Sequence, residues 1–252
     1  MGATEEEAYA IAERIENRIY DGIETRKILQ MVFRLLSKHR PSVKYHIDLR
    51  KALGLMKPKP DFERFIQILL SEQGYEVTPN QVIRGRCGEH EVDAIARKNG
   101  ETYIVEIKRH FNYHTPTGLD TSRIARAILE DVTEGYRLGL NDLKIDKAMI
   151  VCNTKLSEHA KNYAKCRGIY HIGWNSPPEF DLQTMIEEKK LYPITYLKGL
   201  KKLTMEKFSF AGIILLRQLI EKKPAELQKE TGIQKKDLEL LIRRAKNIIG
   251  NK

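Results

Sequence analysis

The sequence predicts an α/β core flanked by small all-helical segments at both ends. Three observations predict it. Residues 57–176 alternate apolar runs of helical and of strand period. An Asn99-Gly100 pair joins two of the strand-like runs. The residues before 57 and after 176 read as helical.

Each element follows from its local pattern. Thr4 and Glu7 form a capping-box pair, and Ala8, Ile11, Ala12, Ile15 and Ile19 recur at helical spacing until Asp21-Gly22 interrupts them. Thr25 is placed to cap a second helix whose buried face is Ile28, Val32, Leu35 and Leu36. Pro41 ends it, and a third helix is expected from about Ser42 to Gly54. The alternate prolines of Lys57-Pro58-Lys59-Pro60 favour extended backbone and mark a stiff linker, so the first boundary falls between segments 1–56 and 57–176. Beyond it Phe62, Phe65, Ile66, Leu69 and Leu70 make one apolar helix face, which Gly74 stops. EVDAIARK and ETYIVEIKRH read as strands. After a loop come a helix near Ser122 to Leu138, a strand KAMIVCN, a helix SEHAKNYAKC and a short strand IYHIGW. Pro177-Pro178 leads into the last segment, 177–252.

Composition narrows the function classes. The 44 Lys and Arg against 34 Asp and Glu leave a net charge of +10, and residues 177–252 alone hold 16 basic against 10 acidic residues. Such a balance favours a polyanionic partner, because neutralising phosphates releases counter-ions. Cys87, Cys152 and Cys166 are scattered and odd in number, which fits neither a disulfide framework nor a CxxC zinc site and suits reduced thiols in a cytoplasmic protein. The acidic start and the short apolar run from Ala211 to Leu216 predict neither a targeting segment nor a membrane span, so no membrane partner is expected.

The hairpin carries the most informative chemistry. A two-residue turn at Asn99-Gly100 sets Lys98 opposite Glu101 and, counting back, Asp93 opposite Glu106, with Cβ atoms roughly 5 Å apart. Side chains alternate along a strand, so Lys108 shares the side of Glu106 while Val105 and Ile107 face the other way. Two opposed carboxylates repel and call for a cation or a raised pKa. A divalent ion with oxygen ligands meets that need, and a lysine beside it can orient water or offset charge on a phosphoryl group. Read from spacing alone, Glu106-Ile107-Lys108 is equally the exposed face of an edge strand.

The runs FERFIQILLSEQGYEV, HEVDAIA, YIVEIK and KAMIVCNTKLSEHAKNYAKCRGIYHIGW, in that order, resemble the PD-(D/E)XK nucleases, in particular the Mrr-like restriction endonucleases. The resemblance implies a restriction-endonuclease-like mixed-sheet core flanked by helices. It implies Asp93 and Glu106 as ligands of Mg²⁺ or Mn²⁺, Lys108 as the catalytic lysine and Glu63 as an accessory acid near the metal. From the residues alone, Glu63 is also an ordinary solvated helix position. Two departures stand out: Glu106 is acidic where the family often has Gln, and AILEDVTEGY lacks the family's Gln near Tyr. His90, His110 and His114 lie nearby without zinc-ligand spacing.

The flanks carry two further resemblances. FAGIILLRQLIEKKPAELQKETGIQKKDLELLIRRAKNIIG resembles helix-hairpin-helix DNA-binding modules. This implies phosphate contact at the Thr231-Gly232-Ile233 hairpin, with Lys235, Lys236, Arg243, Arg244 and Lys246 as candidate backbone contacts. The bland reading is a solvated basic face. RIYDGIETRKILQMVFRLL and YHIDLRKAL resemble the latter part of an ATP-cone, which implies ATP as a ligand. The family's first strand and basic-glycine segment have no counterpart before Thr4, so a packing or dimerisation element is the other reading.

The expected function is a Mg²⁺-dependent endonuclease that hydrolyses DNA phosphodiesters in restriction or repair, as a homodimer where both strands are cut. Two readings of other classes stand beside it: a DNA-binding or recombination accessory protein without turnover, and a nucleotide-responsive regulator.

Overall fold

Asn99 and Gly100 adopt left-handed φ values of 52° and 80°, the type I′ turn this pair favours, and the hairpin they close forms the middle of a five-stranded sheet. The structure, a computed structural model, describes residues 5–250. Strands β1 (Glu76–Arg84), β2 (Glu89–Lys98), β3 (Glu101–Lys108), β4 (Lys147–Cys152) and β5 (Tyr170–Ile172) lie side by side in chain order. β2 is antiparallel to β1 and β3, whereas β3, β4 and β5 run parallel. This is the mixed sheet of an α/β core, as the sequence predicted.

Helices cover the sheet because their apolar residues recur on one face. α4 (Glu63–Glu72) packs on β1 and β2 through Phe65, Ile66, Leu69 and Leu70, all at most 1% exposed. Burial of such side chains is worth about 1.5–3 kcal/mol each. α5 (Leu119–Arg137) and α6 (Glu158–Cys166) enclose a second cluster in which Ala125, Leu129 and Val132 meet Ile95, Ile104, Ala148 and Ile150. Ser157 caps α6 by accepting the Ala160 N–H at 3.2 Å, and Asp181 caps α7 (Leu182–Lys189) through Thr184 N–H at 2.9 Å.

Two local expectations change, and one strand was not expected. β1 is an edge strand, where the missing N–H of Pro79 is tolerated, and Asn80 takes φ 46°. The expected linker at Lys57–Pro60 is instead an irregular turn, Pro58–Phe62, that runs straight into α4 and buries Asp61 and Phe62. The expected helix from Ser42 to Gly54 is a 3-10 turn, Pro41–Tyr45, followed by α3 (Leu49–Leu55).

The chain divides into two compact units, Arg50–Pro193 and the combination of Met1–Leu49 with Ile194–Lys252. The sequence drew boundaries after residues 56 and 176 and set the two ends apart; the structure groups both ends in one unit. There α1 (Glu5–Glu16) and α2 (Thr25–His39) share Ile11, Ile15, Leu35, Leu36 and Val43. Arg40 pairs with Glu7 at 3.1 Å. Thr4 lies outside the described residues, and Thr25 is the first helical residue rather than the cap, which is Glu24 without a side-chain bond. The two ends join where Ile47 N–H donates to the Tyr196 carbonyl at 3.0 Å and His46 stacks on Tyr196. α8 (Lys202–Phe210), α9 (Leu216–Glu221), α10 (Pro224–Thr231) and α11 (Lys235–Gly250) complete this unit.

Candidate active site

Asp93 sits where the hydrogen bonding of β2 lapses on both edges. Toward β1 the ladder runs from Pro79↔Ala94 to Gln81↔Val92 and skips the step at Asn80 and Asp93. Toward β3 it ends at Ala94↔Val105. The register is the one the Asn99-Gly100 turn predicts, but pairing does not continue to Asp93 and Glu106. Side chains replace the missing bonds, as buried backbone groups require. Gln67 Nε2 donates to the Asp93 carbonyl at 2.9 Å, and the Ile107 N–H donates to Asp93 Oδ2 at 2.7 Å. The Asp93 carboxylate therefore lies at the parting of β2 and β3, fixed by backbone.

The other carboxylate oxygen of Asp93 faces an acidic cluster. Lys59 Nζ stands 3.6 Å from Asp93 Oδ1, 3.2 Å from Glu63 Oε1 and 3.2 Å from Glu91 Oε1. Glu63 and Asp93 are nearly closed off, with side chains 9% and 12% exposed. Burial, and then the negative charge of Asp93, push the Glu63 carboxyl above its ordinary range, and Lys59 offsets only part of that. Burial works against the Lys59 ammonium, but hydrogen bonds to Glu91 and Glu63 hold its pKa above the usual lysine value. On β3, Lys108 Nζ pairs with Glu106 Oε1 at 2.7 Å.

The end of β3 is anchored from two sides. Asn153, fully buried just after β4, receives the His110 N–H on Oδ1 at 2.7 Å and donates from Nδ2 to the His110 carbonyl at 2.8 Å. Arg109 donates to the Gly54 carbonyl at 2.8 Å, and a Cβ at Gly54 would stand 3.1 Å from the Phe111 carbonyl. The chain just after Lys108 is thus held by a side-chain amide and by close backbone approach. The loop after β3 is tied down as well: Thr117 N–H donates to the Lys155 carbonyl at 2.8 Å, and Thr117 and Thr154 hydroxyls share a 2.8 Å bond.

The three histidines near the site each have a partner within the protein. His90 Nε2 lies 2.7 Å from Asp131 Oδ2 on α5, His110 bonds Thr117 Oγ1 at 3.0 Å, and His114 packs on Tyr113. Among the described residues no trio of His, Cys, Asp or Glu side chains is arranged to hold a metal ion by itself. The donor set nonetheless suits a hard divalent cation, because Mg²⁺ commonly takes only one or two carboxylates and completes its shell with water and substrate phosphate. The surplus of buried negative charge at Glu63 and Asp93 is the local observation that fits.

Residues 56–172 match the restriction endonuclease family model, which supports a PD-(D/E)XK-like nuclease fold for this region, and residues 192–249 match the model described as AF1548-like, C-terminal. An uncharacterized protein of Archaeoglobus fulgidus is 34% identical over 183 residues, covering 72% of this chain and 98% of its own length. The crystal structure of AF1548, a protein of unknown function, superposes with a TM-score of 0.62 at 30% identity over 81% of this chain and 100% of that one. The chain belongs to the AF1548-like family. Its family membership carries no activity with it, so the chemistry rests on the side chains.

Of the residues singled out in the sequence, the structure places Glu63 and Asp93 in one cluster and Glu106 with Lys108 in an ion pair on the adjoining strand. In the unit that holds both chain ends, α10 and α11 are joined through Gly232, Ile233 and Gln234. The Gly232 N–H already donates to the Gln228 carbonyl at 2.8 Å and the Ile233 N–H to Thr231 Oγ1 at 3.2 Å. These two N–H groups are therefore not free for the expected phosphate contact. Lys236, Arg243 and Lys246 are exposed, Arg244 is half-buried and Lys235 reaches Glu239 at 3.9 Å. Sequence reasoning missed Lys59, Gln67, Glu91 and Asn153. The i,i+4 spacing of Lys59 and Glu63 was a usable signal; Gln67 and Asn153 act across the fold and left none.

Proposed function

We propose that this chain is a divalent-metal-dependent endonuclease that hydrolyses DNA phosphodiesters at the Glu63, Asp93, Glu106 and Lys108 site. One observation carries the reading. Two nearly buried carboxylates, Glu63 and Asp93, share the contact with Lys59 at the parting of β2 and β3, and the neighbouring strand carries Lys108, paired with Glu106, just before a segment held through Arg109 and His110. Buried like charges are costly unless a cation is bound there.

Asp93 and Glu63 would hold the ion, with water and substrate phosphate completing its shell; Glu106, paired with Lys108, would join it only by leaving that pair. Such an ion, when bound, neutralises developing phosphoryl charge and supplies a more acidic water. Asp93 cannot swing, because Ile107 N–H fixes one of its oxygens, so the other is presented in a set direction. Lys108, paired with Glu106 at 2.7 Å, brings three donors and a positive charge to the non-bridging phosphate oxygens. The basic C-terminal helices would hold the DNA backbone through Lys235, Lys236, Arg243, Arg244 and Lys246, without sequence preference.

Supercoiled plasmid incubated with the protein and Mg²⁺ or Mn²⁺ tests this. Wild type should yield nicked and linear product that EDTA suppresses, and Asp93→Ala and Lys108→Ala should yield none. Nicking that persists in both variants would move the chemistry elsewhere.

A further inference from the structure

We infer that Lys59 is the internal counter-ion of the acidic cluster, which a divalent cation must displace on loading, so that Lys59 sets how much free metal the site requires. The inference rests on the metal-dependent reading above and adds a residue to it. Lys59 Nζ touches three carboxylates at once: Glu63 Oε1 and Glu91 Oε1 at 3.2 Å each and Asp93 Oδ1 at 3.6 Å. A metal held by Glu63 and Asp93 would need the oxygens that the ammonium now contacts. Two cations within about 4 Å of one another repel strongly wherever water is partly excluded. Occupancy is therefore exclusive.

The exposures show how the exchange proceeds. Glu63 and Asp93 side chains are 9% and 12% exposed, whereas Glu91 and Lys59 are 69% and 60% exposed. The inner pair is the one that gains most from a nearby cation; the outer glutamate is solvated. On loading, Lys59 gives up Glu63 and Asp93 and keeps Glu91, at the rim. Lys59 is extended (φ −116°, ψ 136°) in the turn that leads into α4, and its side chain, 60% exposed, has room to move to the rim.

Titration of the full-length protein with Mn²⁺, reading free Mn²⁺ by electron paramagnetic resonance at neutral pH and low salt, tests the exchange. Lys59→Met should bind Mn²⁺ about tenfold more tightly than wild type, the size expected when one close positive charge is removed. Lys59→Arg, which keeps the charge, should stay near wild type. Asp93→Asn should lose binding in either background, which places the ion at this cluster. If wild type binds and Asp93→Asn does not, but Lys59→Met is unchanged or weaker, the counter-ion role is overturned while the metal site stands. If neither wild type nor Lys59→Met takes up Mn²⁺, both readings fall. Thermal melting of each variant confirms that the titrated protein is folded.

Discussion

The carboxylate of Asp93 accepts the backbone N–H of Ile107 at 2.7 Å, in the place where the β2–β3 ladder has ended. One side chain thus completes the sheet and presents its second oxygen to the acidic cluster. Asp93→Ala should lower stability by about 1–3 kcal/mol, because it leaves a buried N–H without a partner. Asp93→Asn keeps an acceptor oxygen and should retain most of that stability while losing the charge. Urea unfolding of both variants separates the two roles, and an alanine variant as stable as wild type would show that the bond contributes nothing.

The same residue shows how much of the site was legible in the sequence. Asn99-Gly100 fixed the register from Lys98↔Glu101 to Ala94↔Val105, since a two-residue turn with left-handed φ at both positions permits no other pairing. The departure at Asp93 was not legible, because it depends on Gln67 from α4 and on Asn80 in a strand that was not expected. Lys59 was misread for a related reason. Alternate prolines do favour extended backbone, and Lys59 is extended, but Phe62 beyond it is buried, so the segment packs instead of bridging. Asp93, Glu106 and Lys108 were singled out from residue type and strand alternation, which are local, whereas Glu63, on a helix, was named only through the family resemblance. Asn153 and the grouping of both chain ends in one unit are tertiary and left no local trace.

Asp131 on α5 clamps the β1–β2 turn and should give the protein an acid-sensitive stability. Its carboxylate bonds His90 Nε2 at 2.7 Å and receives the Cys87 N–H at 2.8 Å and the Gly88 N–H at 3.3 Å. His90, and then the Cys87 N–H, pull its pKa down from 3.8 to about 2. A carboxylate depressed on folding stabilises the native state above its unfolded pKa and loses that contribution as pH falls through the folded one. Asp131→Asn should therefore melt below wild type at neutral pH, and the gap should close between pH 3.8 and about 2. Melting temperatures across that range are the measurement; a gap independent of pH would mean that the charge is not what holds the turn.

Gly135 one turn further along α5 makes a sharper demand. A Cβ there would stand 2.8 Å from the Arg84 carbonyl oxygen and 2.9 Å from the Gly85 backbone. The helix and the β1–β2 turn touch backbone to backbone, which only glycine allows. Gly135→Ala should cost about 1–3 kcal/mol or more through overpacking, despite the better helix propensity of alanine. Because the same turn opens β2, Mn²⁺ uptake should weaken in parallel. A variant that unfolds at the wild-type urea midpoint would show that the contact can relax.

Lys236 and Arg243 stand seven residues apart on α11, both exposed, and neither has an ion-pair partner among the described residues. Seven residues is close to two helical turns, so the two cations share a face, while Leu238, Leu241, Ile242, Ala245 and Ile248 occupy the buried one. If this face holds the DNA backbone, each cation displaces about one condensed counter-ion. The double variant Lys236→Ala and Arg243→Ala should then flatten the plot of log K against log salt by roughly two units. Affinity should fall equally for unrelated duplex sequences, because phosphate contacts carry no base information. The binding is measured on the Asp93→Asn background, so that cutting does not distort it, from 50 to 200 mM salt. An unchanged slope would reduce these residues to a solvated basic face and leave the handling of DNA to the α/β unit alone.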